Sequence, residues 1–255
     1  MNNFLLLNIA IILFLLLVIL ENNLKYNHKR LSSIGVKLSP KFLLLFVLGG
    51  FFLILLLFIK GPQTFIYYYA RITFIFLVLG HSLWLSLNKK KLEKGLLILS
   101  GLIIILYRFT SPSLVSHNFF LLYAILWLAP FFFQVKILNL KRFLVISMLW
   151  FIYDFSYIWL SDLSYKVHQT TNSIKFPLAI VIGETSIGIA DLFWAAMLIT
   201  LLKYRRQKII AIATLISSNL LLGWYSYSFA NISGFPLLVL WVPLGLIVIK
   251  TQSKS

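Results

Sequence analysis

Residues 150–206 read WFIYDFSYIWLSDLSYKVHQTTNSIKFPLAIVIGETSIGIADLFWAAMLITLLKYRR. Two apolar segments in this stretch each carry an aspartate where lipid-facing sequence has none. Asp154 sits inside LWFIYDFSYIW and Asp191 inside IGIADLFWAAML. An ionisable group at membrane depth is expensive and usually functional. Two carboxylates able to meet in a dry bundle point to general acid/base work on a bound water. The remainder of the chain reads as the scaffold that brings these two segments together.

The composition supports a membrane setting. The chain has 255 residues, 61% of them apolar, with a mean hydropathy of +0.96. That is far above an ordinary soluble domain, and it predicts an integral membrane protein in contact with a lipid bilayer. The absence of cysteine excludes disulfides, thiolate catalysis and Cys-ligated metals. His28, His81, His117 and His168 are scattered and have no metal-ligand spacing. The expected fold is all-α, a polytopic bundle of nine segments at about 4–20, 42–59, 65–88, 93–108, 115–134, 143–160, 176–202, 209–229 and 235–249. It divides into an N-terminal bundle over 1–142, of about five helices, and a C-terminal bundle over 143–255, of about four helices with a short tail. Arg108, at the end of the fourth segment, is expected to snorkel to the interface.

The net charge of +17 is distributed as a topology signal. Eighteen of the 23 lysines and arginines fall on one side of the nine-segment reading, in the loops at 21–41, 89–94, 136–142 and 203–208 and in the tail. Lys60, Arg108, Lys166 and Lys175 fall on the other side, and Arg71 lies within a segment. The positive-inside rule then puts the N-terminus outside and the C-terminus in the cytoplasm. The basic loops are topology signals and lipid-headgroup contacts, so no nucleic-acid partner is expected. Asn231-Ile232-Ser233 is a glycosylation sequon on the expected outer side.

Three short motifs fall in the sixth, seventh and ninth segments. They are Tyr153-Asp154, then Gly188-Ile189-Ala190-Asp191, then Pro236-Leu237-Leu238. In that order they resemble the signatures of the GxGD intramembrane aspartyl proteases, the presenilin and signal peptide peptidase family. The family's first aspartate follows a tyrosine, its second closes Gly-x-Gly-Asp, and a Pro-Ala-Leu motif opens its ninth segment. Here Ala190 replaces the second glycine and Leu237 replaces the alanine. The resemblance covers about residues 143–249. It implies a presenilin-like arrangement of nine helices and hydrolysis of a peptide bond within a transmembrane segment or signal peptide of another protein. It also implies Asp154 and Asp191 as the catalytic pair, with Tyr153, Gly188, Ala190, Pro236, Leu237 and Leu238 positioning the substrate. Water is then the only co-reactant, with no metal or organic cofactor.

The chemistry of the residues agrees with that implication. Peptide hydrolysis by an aspartate pair needs one carboxylate ionised to activate water and one protonated to donate to the scissile carbonyl. Two carboxyls a few ångströms apart titrate as a unit. Gly183, Gly188 and Ala190 form a small-residue surface, which suits either approach of a substrate backbone or close helix packing. Pro236 and Pro243 interrupt helical hydrogen bonding in the ninth segment, where an unwound substrate can pair with an exposed edge. Counted along straight helices, Asp154 and Asp191 lie about 14 and 22 Å from the outer side. Simpler roles are a carboxylate at Asp154 capped by Tyr153 or a serine, an Asp191–Arg71 ion pair, an interfacial Glu184, a bundle histidine at His81, and solvated Asp162 and His168. Two other functions use the same acids. One is an ion- or proton-coupled transporter or channel using Asp154, Asp191, Glu184 and Arg71. The other is a membrane lipid hydrolase.

Overall fold

The structure, a computed structural model, describes residues 2–23, 63–86, 89–159, 177–183, 185–229 and 237–252. These residues are mostly helical. The elements in chain order are α1 (Asn2–Asn23), α2 (Gln63–Ser86), α3 (Lys91–Thr110), α4 (Leu114–Ile125), α5 (Leu128–Gln134) and α6 (Leu140–Trp159). A hairpin of β1 (Ala179–Ile182) and β2 (Thr185–Gly188) follows, then α7 (Ile189–Leu201), α8 (Arg205–Phe229) and α9 (Leu237–Gln252).

Four stretches among the described residues are long and apolar enough to cross a membrane: Asn3–Asn23, Tyr69–Ser86, Leu114–Gln134 and Arg205–Trp224. α7 and α9 are shorter apolar helices. α1 shows why a bilayer suits these elements. Leu7, Ile11, Phe14, Leu15 and Val18 are buried at helical spacing, while Leu5, Leu6, Leu13, Leu16, Leu17 and Leu20 are exposed on its other side. A helix apolar all round belongs in a membrane or a deep core, and only one side of α1 is covered by protein.

The nine described helices are not the nine expected segments. The expected segment at 42–59 lies outside the described residues. The expected segment at 115–134 is two helices, α4 and α5, joined by a turn at Leu126 and Trp127. Pro130 explains the break, because it has no N–H to give the Leu126 carbonyl.

The seventh segment needs the largest correction. A single helix over 176–202 is expected from hydropathy, but its first half is the β-hairpin and α7 begins at Ile189. Hydropathy does not separate a short buried strand from a buried helix. The residues do: Ile180-Val181-Ile182 and Thr185-Ser186-Ile187 are rich in β-branched side chains, which favour strands. Between them Gly183 turns the chain at φ +60°, a conformation natural to a two-residue hairpin loop. The strands are antiparallel, in the register Ala179↔Gly188, Ile180↔Ile187, Val181↔Ser186 and Ile182↔Thr185. The depth count for Asp191 is corrected with it. The hairpin goes out and returns, so Asp191 lies only about 3 Å along α7, and Asp154 about 8 Å from the end of α6.

The core is built where α1, α2, the hairpin and α4–α9 meet. Trp194, Trp241, Phe143, Phe120, Leu192 and Leu198 are almost fully buried in it. Helices in lipid associate through packing and polar contacts rather than the hydrophobic effect. Two buried polar pairs fix their register. Trp194 Nε1 donates to Ser147 Oγ at 2.8 Å, tying α7 to α6. Asn219 Nδ2 donates to Asn8 Oδ1 at 2.9 Å, tying α8 to α1.

Candidate active site

α6 is started firmly and so aims Asp154. Asn139 Oδ1 accepts from the Arg142 N–H at 3.0 Å, an N-cap contact. The Arg142 guanidinium donates to the Lys136 and Ile137 carbonyls, each at 2.9 Å, and closes the turn before the helix. Near the other end of α6 the partly buried Asp154 carboxylate lies beside the Leu238 N–H. Leu238 is the second residue of α9, and its N–H is among those a helix start leaves without a helical partner. A carboxylate placed there also meets the positive end of the helix dipole. The second oxygen, Asp154 Oδ2, is buried and has no hydrogen-bond partner among the described residues.

Asp191 is set by the start of α7. Gly188 is the N-cap, and the Asp191 carboxylate three residues on folds back beside it. A side chain at Gly188 would push the Asp191 carboxylate aside. A Cβ there would lie 2.7 Å from Asp191 Oδ2 and 3.6 Å from its Cγ. The Asp191 carboxylate also lies close enough to Asp154 for the two charges to act on one another. Three helices therefore meet at this point: α6 and α7 each supply a carboxylate, and α9 supplies a backbone donor.

The other expected site residues divide. Gly188 and Leu238 join the two aspartates. Ala190 is exposed beside them on α7. The Leu237 side chain is buried in the core rather than facing an open groove. Tyr153 lies on α6 immediately before Asp154, and Pro236 lies outside the described residues, as do Asp162, His168, Glu184 and the 231–233 sequon. The Arg71 guanidinium stacks on the Phe109 ring at 4.2 Å, while Asp191 is turned towards Gly188 and Asp154. Its expected pairing with Asp191 is therefore not the arrangement found. His81 is buried among helices, with Nδ1 2.8 Å from the Tyr123 carbonyl and Nε2 3.8 Å from Glu21.

Sequence reading missed the contacts that hold the hairpin. Arg108, expected to snorkel, is buried and donates through Nε to His117 Nδ1 at 3.0 Å. His117 Nε2 is 2.8 Å from the Pro177 carbonyl. Asn118 Nδ2 donates to the Val181 carbonyl at 2.6 Å, and Asn118 Oδ1 accepts the Val181 N–H at 3.0 Å. The available signal was a run of polar residues, Ser116-His117-Asn118, opening an apolar segment. No protein-family model, no curated protein and no solved structure matches the chain.

Proposed function

We propose that this chain is an intramembrane aspartyl endopeptidase, similar to the presenilin and signal peptide peptidase family, that hydrolyses a peptide bond within a transmembrane segment of another protein. One observation carries the reading: the Asp154 and Asp191 carboxylates converge from α6 and α7 where the Leu238 N–H begins α9. Motifs far apart in sequence would have no reason to meet if each were merely a local cap.

In the proposed reaction one carboxylate takes a proton from water as its oxygen attacks the scissile carbonyl carbon. The other carboxyl gives its proton to the carbonyl oxygen. The tetrahedral intermediate then collapses, the C–N bond breaks, and the amine leaves with a proton returned by the pair. Asp154 Oδ2, buried and without a partner among the described residues, is the oxygen free to hold that water. Four candidate spans support a membrane protein, and the distribution of basic residues supports an N-terminus outside and a C-terminus in the cytoplasm. The hairpin, the Asp154 end of α6 and the starts of α7 and α9 lie opposite the basic ends of the helices, so the pair belongs to the outer half.

A proton- or ion-coupled transporter is the second reading. The buried His81–Glu21 contact favours it, because a protease has no evident use for that pair. Glu21 lies about 27 Å along α1 from Asn3, whose carbonyl is near the hairpin at Thr185. The test is incubation of the purified protein with labelled transmembrane peptides, with and without an aspartyl-protease transition-state inhibitor. Inhibitor-sensitive fragments support the protease. Proton flux in liposomes without fragments supports the transporter.

A further inference from the structure

We propose that His117 and Asn118 on α4 are positioning residues, a clamp that sets the β-hairpin and through it the Asp191 carboxylate. The inference rests on the protease reading for its consequence and on hydrogen-bond geometry for its existence.

The clamp begins with a fixed helix start. The Ser116 N–H donates to Ser113 Oγ and the Ser113 N–H to Ser116 Oγ, each at 3.1 Å, a reciprocal capping box. The next two residues are His117 and Asn118, so their direction is fixed by that start. Arg108 has only donors, so His117 Nδ1 must accept from it. The ring is then neutral, with its proton on Nε2, and Nε2 donates to the Pro177 carbonyl at 2.8 Å. Asn118 binds both backbone groups of Val181, as a neighbouring strand would. In an antiparallel pair, residues alternate between facing the partner strand and facing away. Val181 therefore faces away from β2, and Asn118 occupies the outer edge of β1.

The consequence reaches the site through covalent connection and register. The chain is fixed at Pro177 just before β1 and at Val181 within it, and β2 is paired to β1 from Thr185 to Gly188. The Ile189 N–H donates to the Leu178 carbonyl at 3.1 Å, which carries the pairing into the first residue of α7. The Asp191 carboxylate lies directly beside Gly188, so the position of Gly188 sets the space it occupies. A displacement of about 1 Å at a reacting group costs on the order of a hundredfold in rate. A loosened hairpin is a displacement of that kind.

The test combines amide hydrogen exchange with kinetics, on purified full-length protein in nanodiscs, using Asn118→Ala, His117→Ala and the conservative Asn118→Gln. Asn118→Ala should speed exchange across 179–188 by about tenfold or more, since it removes two hydrogen bonds. Helices remote from the hairpin should keep their wild-type exchange. Cleavage of a labelled transmembrane peptide should fall about 10- to 100-fold in kcat with KM unchanged. Asn118→Gln, which keeps the amide, should recover part of both. A merely structural residue would instead lower the amount of folded enzyme and leave kcat per folded molecule intact. If Asn118→Ala does not fold, His117→Ala carries the same test through the Pro177 contact. Unchanged exchange in the hairpin of a folded variant overturns the clamp. Faster hairpin exchange with unchanged kcat overturns its role in positioning. A wild type that cleaves nothing, yet shows faster hairpin exchange on Asn118→Ala, keeps the clamp and overturns the protease reading alone.

Discussion

Gly188→Ala isolates the Asp191 carboxylate with one methyl group. The new Cβ would sit 2.7 Å from Asp191 Oδ2, a separation that real Cβ atoms do not show. Apart from its chain neighbours, only Asp191 atoms among the described residues lie within 4 Å of that position. The backbone at Gly188 is extended, with φ −63° and ψ 143°, so alanine fits the conformation itself. Two small stability effects then oppose one another. Alanine restricts the unfolded chain and stabilises by about 0.4–1 kcal/mol. It is also a poorer N-cap than glycine by several tenths of a kcal/mol or more. Stability should change by less than about 1 kcal/mol. The carboxylate, however, must rotate away from its present position. If Asp191 acts from its present position, a displacement of about 1 Å should lower kcat by on the order of a hundredfold. The assay is kcat and KM on a labelled transmembrane peptide beside a thermal unfolding curve of the same preparation. A variant with kcat within twofold of wild type refutes the reasoning. So does one whose lost activity follows lost folded protein.

Other outcomes follow from the same geometry. Ala190 is exposed beside Asp191, so Ala190→Gly should keep or raise cleavage and widen peptide choice, at a helix cost of about 1 kcal/mol; competition between peptides of different bulk checks this. Leu237 is buried in the core, so Leu237→Ala should destabilise by about 2–5 kcal/mol, read from denaturation curves, and lower activity through folding. Trp194→Phe leaves the buried Ser147 hydroxyl without its donor and should cost about 1–3 kcal/mol by the same measurement. Reporter fusions after Lys208 and at the C-terminus should both report cytoplasm, and an outside signal at either would contradict the orientation drawn from the basic loops.

The sequence made the helices legible to within a few residues wherever an apolar run was long and unbroken, as at α1, α2, α6 and α8. It failed where apolar residues change their backbone. The run from Ala179 to Gly188 has the hydropathy of a span, and only its β-branched residues flanking Gly183-Glu184 distinguish a hairpin. Pro130 was a visible reason to divide α4 from α5. Asp154 and Asp191 were legible as candidates because a carboxylate in an apolar segment has few cheap explanations. Their meeting beside the Leu238 N–H was not readable from spacing, since it depends on how three helices cross. The clamp was least legible. His117 and Asn118 open an apolar segment and look like ordinary interfacial polar residues until the strand they hold is known. Arg108 misled in the same way, because snorkelling is the usual fate of an arginine at a helix end.

The most direct measurement of the central claim is single-turnover cleavage of one labelled transmembrane peptide by wild type, Asp154→Ala, Asp191→Ala and the double variant, with fragments identified by mass spectrometry. Folding of each protein is checked by thermal unfolding. Two carboxylates acting as one unit predict cleavage by wild type, none above background for either single variant, and a double variant no worse than the singles. Substantial cleavage by either folded single variant would contradict the pair.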